Sequence, residues 1–270
     1  MTALHYRGDF FDTYTAHAPL ALAFERILEG KLLWEETIEP PVLDVGCGDG
    51  MFASFLFSDR IDTGIDPNDQ ELRCAARVGG YRELICCSGA TIPKPDASYR
   101  TVFSNSVLEH IPDLEPVLRE IFRVLMPGGS LYIAVPTDTF ERWTVIDLFL
   151  SRLGLNKIAA RYRNFFNKFW RHYHAYSQME WEAFLVRSGF QVKNSIRYNA
   201  PRIALANDLF APVALPSMLL KKFTGRWILW PALRRILFLP VRPLFHRWLR
   251  TVRHPMGCLL FVRAIKPPAP

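Results

Sequence analysis

The sequence predicts an α/β protein with a doubly wound, mostly parallel sheet, and three observations carry that prediction. Short apolar runs alternate with helical patterns from residue 42 to residue 135, as successive strand–helix–strand units require. The first run ends in a glycine-rich turn that opens directly into a helical pattern. Half of the 270 residues are hydrophobic and 22% are charged, which excludes a disordered chain and suits one large core carrying extensions.

The elements follow in order along the chain. Leu20, Ala23, Phe24, Ile27, Leu28 and Leu32 recur at helical spacing, so residues 14–36 read as an amphipathic helix ending at the linker Glu39-Pro40-Pro41. A strand over 42–45 leads through the turn at 46–50 into a helix from Met51. Strands over 63–66, 84–87 and 102–104 alternate with helices over 69–77 and 114–126, and the turn Pro127-Gly128-Gly129 precedes a strand over 131–135. Beyond Pro136 the pattern loosens into a basic, aromatic segment, 140–174, then recovers as a helix near 177–188 and a strand near 190–198. Residues 257–265 read as a last strand. Residues 201–255 carry seven prolines among dense Leu, Phe, Trp and Arg and read as an insertion. The expected division is an N-terminal helical cap (1–40), a core (41–200 with 256–266) and a basic, apolar helical insertion (201–255).

The formal net charge of +7 is regional. From Leu209 onward there are eleven Lys or Arg and no acid, whereas residues 1–208 hold 22 basic against 26 acidic side chains. A second stretch, 148–179, has six basic residues and no acid. One-sign regions of this kind point to an anionic partner or to plain solvation. Five cysteines, odd in number and without paired spacing, indicate neither a disulfide framework nor a zinc site. The N-terminus has no apolar stretch of a secretory signal, and no uninterrupted apolar run reaches the roughly 18 residues of a membrane span. The expected location is the cytoplasm.

Chemistry concentrates at the first turn. Glycines between a strand and a helix let backbone approach a ligand closely and aim a helix N-terminus at it. Here the spacing is GxGxG (Gly46, Gly48, Gly50), with Met51 where a nicotinamide-type turn places its third glycine one residue later. Asp66 follows Gly46 by twenty residues, at the end of the second strand, where a carboxylate can accept both hydroxyls of a ribose. Turn and acid together indicate an adenosine-containing ligand.

The stretch Val42-Leu43-Asp44-Val45-Gly46-Cys47-Gly48-Asp49-Gly50 resembles the first motif of class I S-adenosylmethionine-dependent methyltransferases, in the small-molecule branch. The likeness continues through Thr63-Gly64-Ile65-Asp66-Pro67, through 92–99, through Ser104-Asn105-Ser106-Val107-Leu108-Glu109-His110-Ile111 and through 118–129, and covers residues 42–136, about a third of the chain. It implies a Rossmann-like fold with a seven-stranded sheet whose last strand is antiparallel, and S-adenosylmethionine as cofactor. It further implies that Gly46, Cys47 and Gly48 present backbone to the methionine part, that Asp44 orients the turn or the ammonium group, that Asp66 binds the ribose, and that Asn105 lines the methionine end. The sequence departs from the family after the third strand, where an acid often meets the adenine amino group and Ser88 stands instead. A hydroxyl there can still accept, and Gly89 can offer its N–H, but the contact is neutral. Arg100 replaces another family acid at a position expected to face solvent.

Methyl transfer from a sulfonium needs proximity and orientation, with a general base where the acceptor is a hydroxyl. His110 is the first candidate for that base or for an acceptor contact; capping the turn before Pro112 is its alternative role. His172 and His174 lack a third partner at metal-ligand spacing, so no metal is expected.

Both basic segments leave from carboxyl ends of strands, the face on which open α/β sheets bind ligands. Val241, Leu244, Phe245, Trp248, Leu249 and Val252 share one helical stripe, with Arg242, His246, Arg247, Arg250 and Arg253 on the other side, and 227–239 repeats the mixture. Such helices suit an anionic membrane surface, here through 205–253 on the inner face of the membrane, or pack their apolar faces on the core. The expected acceptor is accordingly a small amphipathic or lipid-linked molecule. Nucleic acid is disfavoured because the insertion is too rich in Leu, Ile and Phe, and a cofactor-binding interaction protein without turnover is the remaining alternative. The oligomeric state is left open.

Overall fold

The computed structural model describes residues 2–268. Two helices, α1 (Phe10–His17) and α2 (Leu20–Leu33), precede the sheet. The first half of the core runs β1 (Val42–Val45), α3 (Met51–Leu56), β2 (Ile61–Asp66), α4 (Asp69–Val78), β3 (Tyr81–Cys86), β4 (Tyr99–Asn105), α5 (Glu115–Val124) and β5 (Leu125–Pro136). The second half runs α6 (Val145–Arg152), α7 (Asn156–Trp170), α8 (Gln178–Arg187), β6 (Gln191–Tyr198), α9 (Pro201–Thr224), α10 (Pro231–Phe238), α11 (Arg242–Trp248) and β7 (Leu259–Ile265).

All seven strands form one sheet in the order β3-β2-β1-β4-β5-β7-β6. Neighbours from β3 to β5 pair in parallel, and β7 pairs antiparallel with both β5 and β6. This is the expected α/β, Rossmann-like, doubly wound sheet with an antiparallel last strand. Its order reverses between β1 and β4, because the chain leaves β1 toward β2 and leaves β4 toward β5. At such a reversal the connections part to opposite sides and open a crevice at the carboxyl ends of the two strands.

Each face of the sheet is covered. On one side Val117, Leu118, Ile121 and Val124 of α5 and Trp181 and Leu185 of α8 pack on β-strand residues such as Val102, Leu131 and Val262. On the other, Phe24, Ile27, Leu28 and Leu32 of α2 join Ala53 and Leu56 of α3 and Ile203 of α9. Phe24 packs against Phe245 (tilted) and Trp248 (edge to face) at ring separations of 5.1 and 5.4 Å, which docks α11 onto α2.

Four elements differ from the expectation, each for a local reason. The single N-terminal helix breaks at Ala18–Pro19 into α1 and α2, since Pro19 has no N–H to continue α1 and sits extended ahead of α2. The glycines at 128–129 lie inside β5, where Gly128 takes a positive φ and donates its N–H to the Lys266 carbonyl. The segment 140–174 is ordered as α6 and α7, with Thr144 capping α6 through the Asp147 N–H and Arg163 bridging to Asp147 at 2.6 Å. Finally, α9 is a continuous helix of 24 residues that passes through Pro212 and Pro216. By length and apolarity it could cross a membrane, which the search for uninterrupted apolar runs missed.

One buried acid joins three parts of this architecture. Glu29 of α2 is wholly inaccessible. One carboxylate oxygen accepts from Arg26 Nη1 and Asn105 Nδ2, both at 2.6 Å, and the other from Ser106 Oγ and Tyr198 Oη, both at 3.0 Å. A fully bonded, ion-paired carboxylate offsets its desolvation; removing it strands Arg26 and three polar groups. Glu29→Ala should therefore destabilise the protein by about 3–5 kcal/mol, whereas Glu35→Ala, which removes only the exposed pair with Arg253, should cost under about 1 kcal/mol. Urea denaturation of the two variants reads the difference.

Candidate active site at the carboxyl ends of β1 and β4

The turn between β1 and α3 is built on three left-handed glycines, Gly46, Gly48 and Gly50, with φ of 79°, 53° and 74°. Gly46 is also sterically committed, because a Cβ there would overlap the Val107 side chain. A Cβ on Gly48 would meet nothing within 4 Å, so that backbone faces open space. Gly46 and Cys47 both donate their N–H groups to the Ile65 carbonyl, which sutures the turn to β2.

Asp66 ends β2 and accepts from the Gly48 N–H at 3.0 Å and from the Asn68 N–H at 2.8 Å. Two backbone donors use two of roughly four acceptor positions on a carboxylate, and the rest stay available to a ligand. Asp44 lies buried beneath the turn and accepts from Tyr81 Oη at 2.6 Å. Burial pushes its carboxyl up to about 7 despite that bond. Ser88 is exposed and its hydroxyl accepts from the Ala90 N–H at 3.2 Å, while Gly89 packs beside Val117. Asn105 commits its amide N–H to Glu29, so it is a strut between β4 and α2.

Sequence reasoning missed what α2 brings to this crevice. Arg26 bonds Ser106 Oγ at 2.6 Å and Glu29, and its side chain remains 16% exposed. Glu25 is bound by Asn207 of α9 at 3.0 Å and is pushed up to about 7, by burial first and by Glu29 second. The only sequence signal for these groups is charged residues on an otherwise apolar helix. Glu109 is 2% exposed, and its Oε2 has no hydrogen-bond partner. Burial pushes it up to about 8, and Arg26, Glu29 and Glu25 are close enough to act on it.

His110 lies outward of Glu109. It closes a 3₁₀ turn, Leu108–His110, and its Nδ1 meets the Arg171 carbonyl at 3.3 Å. A carbonyl only accepts, so Nδ1 carries the proton; Nε2 lies 3.7 Å from a Glu109 carboxylate oxygen. Burial lowers the affinity of the ring for a second proton. The His172 ring lies tilted beside it, centroids 5.2 Å apart, and burial lowers it to about 4, while His174 Nε2 bonds the Ile111 carbonyl at 2.8 Å. His110 and His174 are thus directed to separate backbone carbonyls. Among the described residues no three His, Cys, Asp or Glu gather as metal ligands.

The insertion crosses the turn. Lys221 near the end of α9 bridges Asp49 at 2.9 Å and Glu71 at 2.8 Å, and Trp227 Nε1 donates to Asp49 at 2.8 Å. The apolar stripe expected to face a membrane on the last helix is largely consumed: Phe245, Trp248 and Val252 pack on the core, and Leu249 is wholly buried. Four of the eleven basic residues after 209 are also spent internally, on Asp49 and Glu71, Asp12, Glu35 and Glu36. Arg100 reaches Glu39 at 2.9 Å on the surface.

Comparison with known proteins gives the same frame. Residues 43–133 match the model of the methyltransferase domain family. The sterol 24-C-methyltransferase erg6 of Aspergillus fumigatus is 38% identical over 110 residues, 37% of this chain and 29% of that protein. The chain spans less than half the length of the first curated relatives it matches. Among solved structures, a methyltransferase of Thermotoga maritima superposes with a TM-score of 0.58 at 16% identity over 92% of both chains. The [4+2]-cyclase SpnF gives 0.55 at 17%, over all of this chain and 89% of that one. Residues 43–133 therefore form a class I S-adenosylmethionine-dependent methyltransferase domain, and its cofactor is S-adenosylmethionine. The groups present fit the charges of that molecule: a carboxylate with acceptor positions to spare at Asp66, an uncrowded backbone at Gly48 and a guanidinium at Arg26.

The buried Glu109 carboxyl couples folding to pH. Its proton is held more tightly in the folded than in the unfolded chain, so its stabilising contribution is complete below about pH 4.5 and fades as the pH rises through about 8. Urea denaturation at pH 5 and pH 8.5 should show wild-type stability falling relative to Glu109→Gln over that interval; parallel curves would place Glu109 in a solvated setting.

Proposed function

We propose that this chain transfers a methyl group from S-adenosylmethionine to a small amphipathic or lipid-linked acceptor at a membrane surface. The single observation that carries the first half is the open Gly48 backbone beside the part-free Asp66 carboxylate, with Arg26 near enough to act on the Asp44 carboxyl beneath the same turn. When bound, the cofactor supplies an electrophilic methyl group on a sulfonium. The chain's own residues bind, orient and move protons around it.

Asp66, with two bonds already fixing its orientation, holds the ribose; Gly46, Cys47 and Gly48 present backbone to the methionine part, with Asp44 beneath them. Ser88 and Gly89 stand at the adenine end, and Asn105 closes the methionine end through Glu29. His110, neutral and with Nε2 unprotonated, accepts a proton from the acceptor when that acceptor is a hydroxyl.

The second half rests on the insertion. Leu209, Val213, Leu219 and Phe223 of α9 and Leu233, Ile236 and Leu237 of α10 are exposed, and no acid lies among them. Asn207, Asp208 and Lys221 tie α9 to Glu25, to the Val145 N–H and to Glu71, so α9 lies along the domain and turns an apolar face outward. A helix so tied is suited to lying on a bilayer. The similarity to a sterol methyltransferase over residues of the core supports a lipid-like acceptor.

Two measurements test this reading. Calorimetry should detect S-adenosylmethionine binding that Asp66→Ala weakens by roughly 100-fold or more, since two charge-assisted bonds are worth about 1.5–3 kcal/mol each. Lipid and small-molecule extracts incubated with the protein and methyl-labelled cofactor should yield one labelled product by mass spectrometry. Undiminished binding in the variant, or label found only in water-soluble polymers, would refute the respective half.

A further inference from the structure

The α6–α7 hairpin carries an apolar surface that the methyl-transfer site does not use. On α7, Phe166 points inward, with its ring 6.0 Å from Phe140 and 6.1 Å from His172, and Ala159 is the only fully buried residue of the helix. Arg163 also turns inward, to Asp147. Ile158, Phe165 and Phe169 fall within an arc of roughly 40° at 3.6 residues per turn. They are about half or more exposed, at 49%, 62% and 60%. Ile146, Phe149 and Leu153 extend the surface along α6, and the connection Leu153-Gly154-Leu155 presents two exposed leucines at its tip.

The charges around this stripe say what covers it. Lys157, Arg161 and Lys168 lie on one flank, roughly 60–100° from the stripe at the same periodicity. None of the three is among the ion-paired residues described, and the whole stretch 148–179 contains no acid. A protein partner or a second copy of this chain would have to supply both an apolar ridge and several carboxylates. A bilayer with anionic headgroups supplies acyl chain and phosphate together, at the depth difference that separates a phenylalanine ring from a lysine tip.

We infer that the α6–α7 hairpin is a second membrane anchor, inserting Phe149, Phe165 and Phe169 beside anionic headgroups held by Lys157, Arg161 and Lys168. It adjoins the first, because Asp208 of α9 bonds the leading N–H of α6 at 2.8 Å. This deepens the membrane half of the proposed function and is independent of the transfer chemistry.

Flotation of the full chain with phosphatidylcholine vesicles, with and without added phosphatidylglycerol, tests it. Wild-type protein should float with the anionic vesicles and do so less as salt is raised. The triple substitution Phe149→Asp, Phe165→Asp, Phe169→Asp should weaken binding by roughly 100-fold or more, since each buried ring is worth about 1.5–3 kcal/mol. The pair Arg161→Gln, Lys168→Gln should weaken it by roughly 30-fold, at about 1 kcal/mol for each charge. Circular dichroism and S-adenosylmethionine calorimetry should be unchanged in both variants, which excludes misfolding as the cause. If the triple variant floats like wild type while Leu233→Asp, Ile236→Asp, Leu237→Asp does not, the hairpin is no anchor and the insertion alone holds the membrane. If wild-type protein floats with neither vesicle, both membrane statements fall while the cofactor reading stands. A lipid-free dimer that the triple substitution dissociates would assign the surface to a second copy instead.

Discussion

The carboxylate of Glu29 is the constraint around which the site is assembled. It is buried, and its four donors come from α2 itself, from the end of β4 and from the end of β6. A carboxylate in such a place is tolerable only when every lone pair is engaged, so each donor must stay where it is. The consequence reaches beyond stability. Arg26 is held facing the crevice, Asn105 and Ser106 are held at the carboxyl end of β4, and the N-terminal helices are clamped over the reversal point of the sheet.

A second constraint is electrostatic complementarity between the two ends of the chain. The net-acidic residues 1–208 and the acid-free C-terminal segment fold onto one another through Lys221, Arg242, Arg253 and Arg263. Most of these pairs are exposed, and each adds little by itself. The exception is Lys221, which is mostly covered and bridges the glycine turn to α4 while Trp227 grips the same Asp49. The insertion therefore contributes to the shape of the cofactor turn as well as to the outer surface. Basic residues left without acids, those of the α6–α7 hairpin and α10 among them, are free to meet an external anion.

Fold and chemistry separate cleanly in this molecule. The fold recurs in proteins with quite different named reactions, the SpnF cyclase among them, so it establishes a framework and not an acceptor. What distinguishes this chain is added to the carboxyl edge of the sheet. Helices α6 and α7 follow β5, α9 to α11 follow β6, and the polar groups of α2 close the remaining side.

The sheet, its parallel core and its cofactor turn were legible in the amino-acid sequence because their signals are local. Alternation of apolar runs with helical periods, glycines at positive φ and an acid at the end of β2 each express a rule that acts within a few residues. The strand boundaries at 127–136 were not legible, since pairing with β7, more than a hundred residues later, carries β5 through Gly128 and Gly129. The histidine at 110 was visible as a chemical type, but only the packing of Arg171 against it set its tautomer. Arg26, Glu29, Tyr198 and Asn207 were silent, because the signal of a buried polar network is its partners and those lie up to 182 residues apart. The amphipathic stripe of 241–252 was read correctly as apolar, yet its destination was decided by Phe24, which drew Phe245 and Trp248 inward and left α9, α10 and the α6–α7 hairpin facing out. Local periodicity determines that a helix has an apolar face; only the competition among all such faces for one core decides which of them remains uncovered.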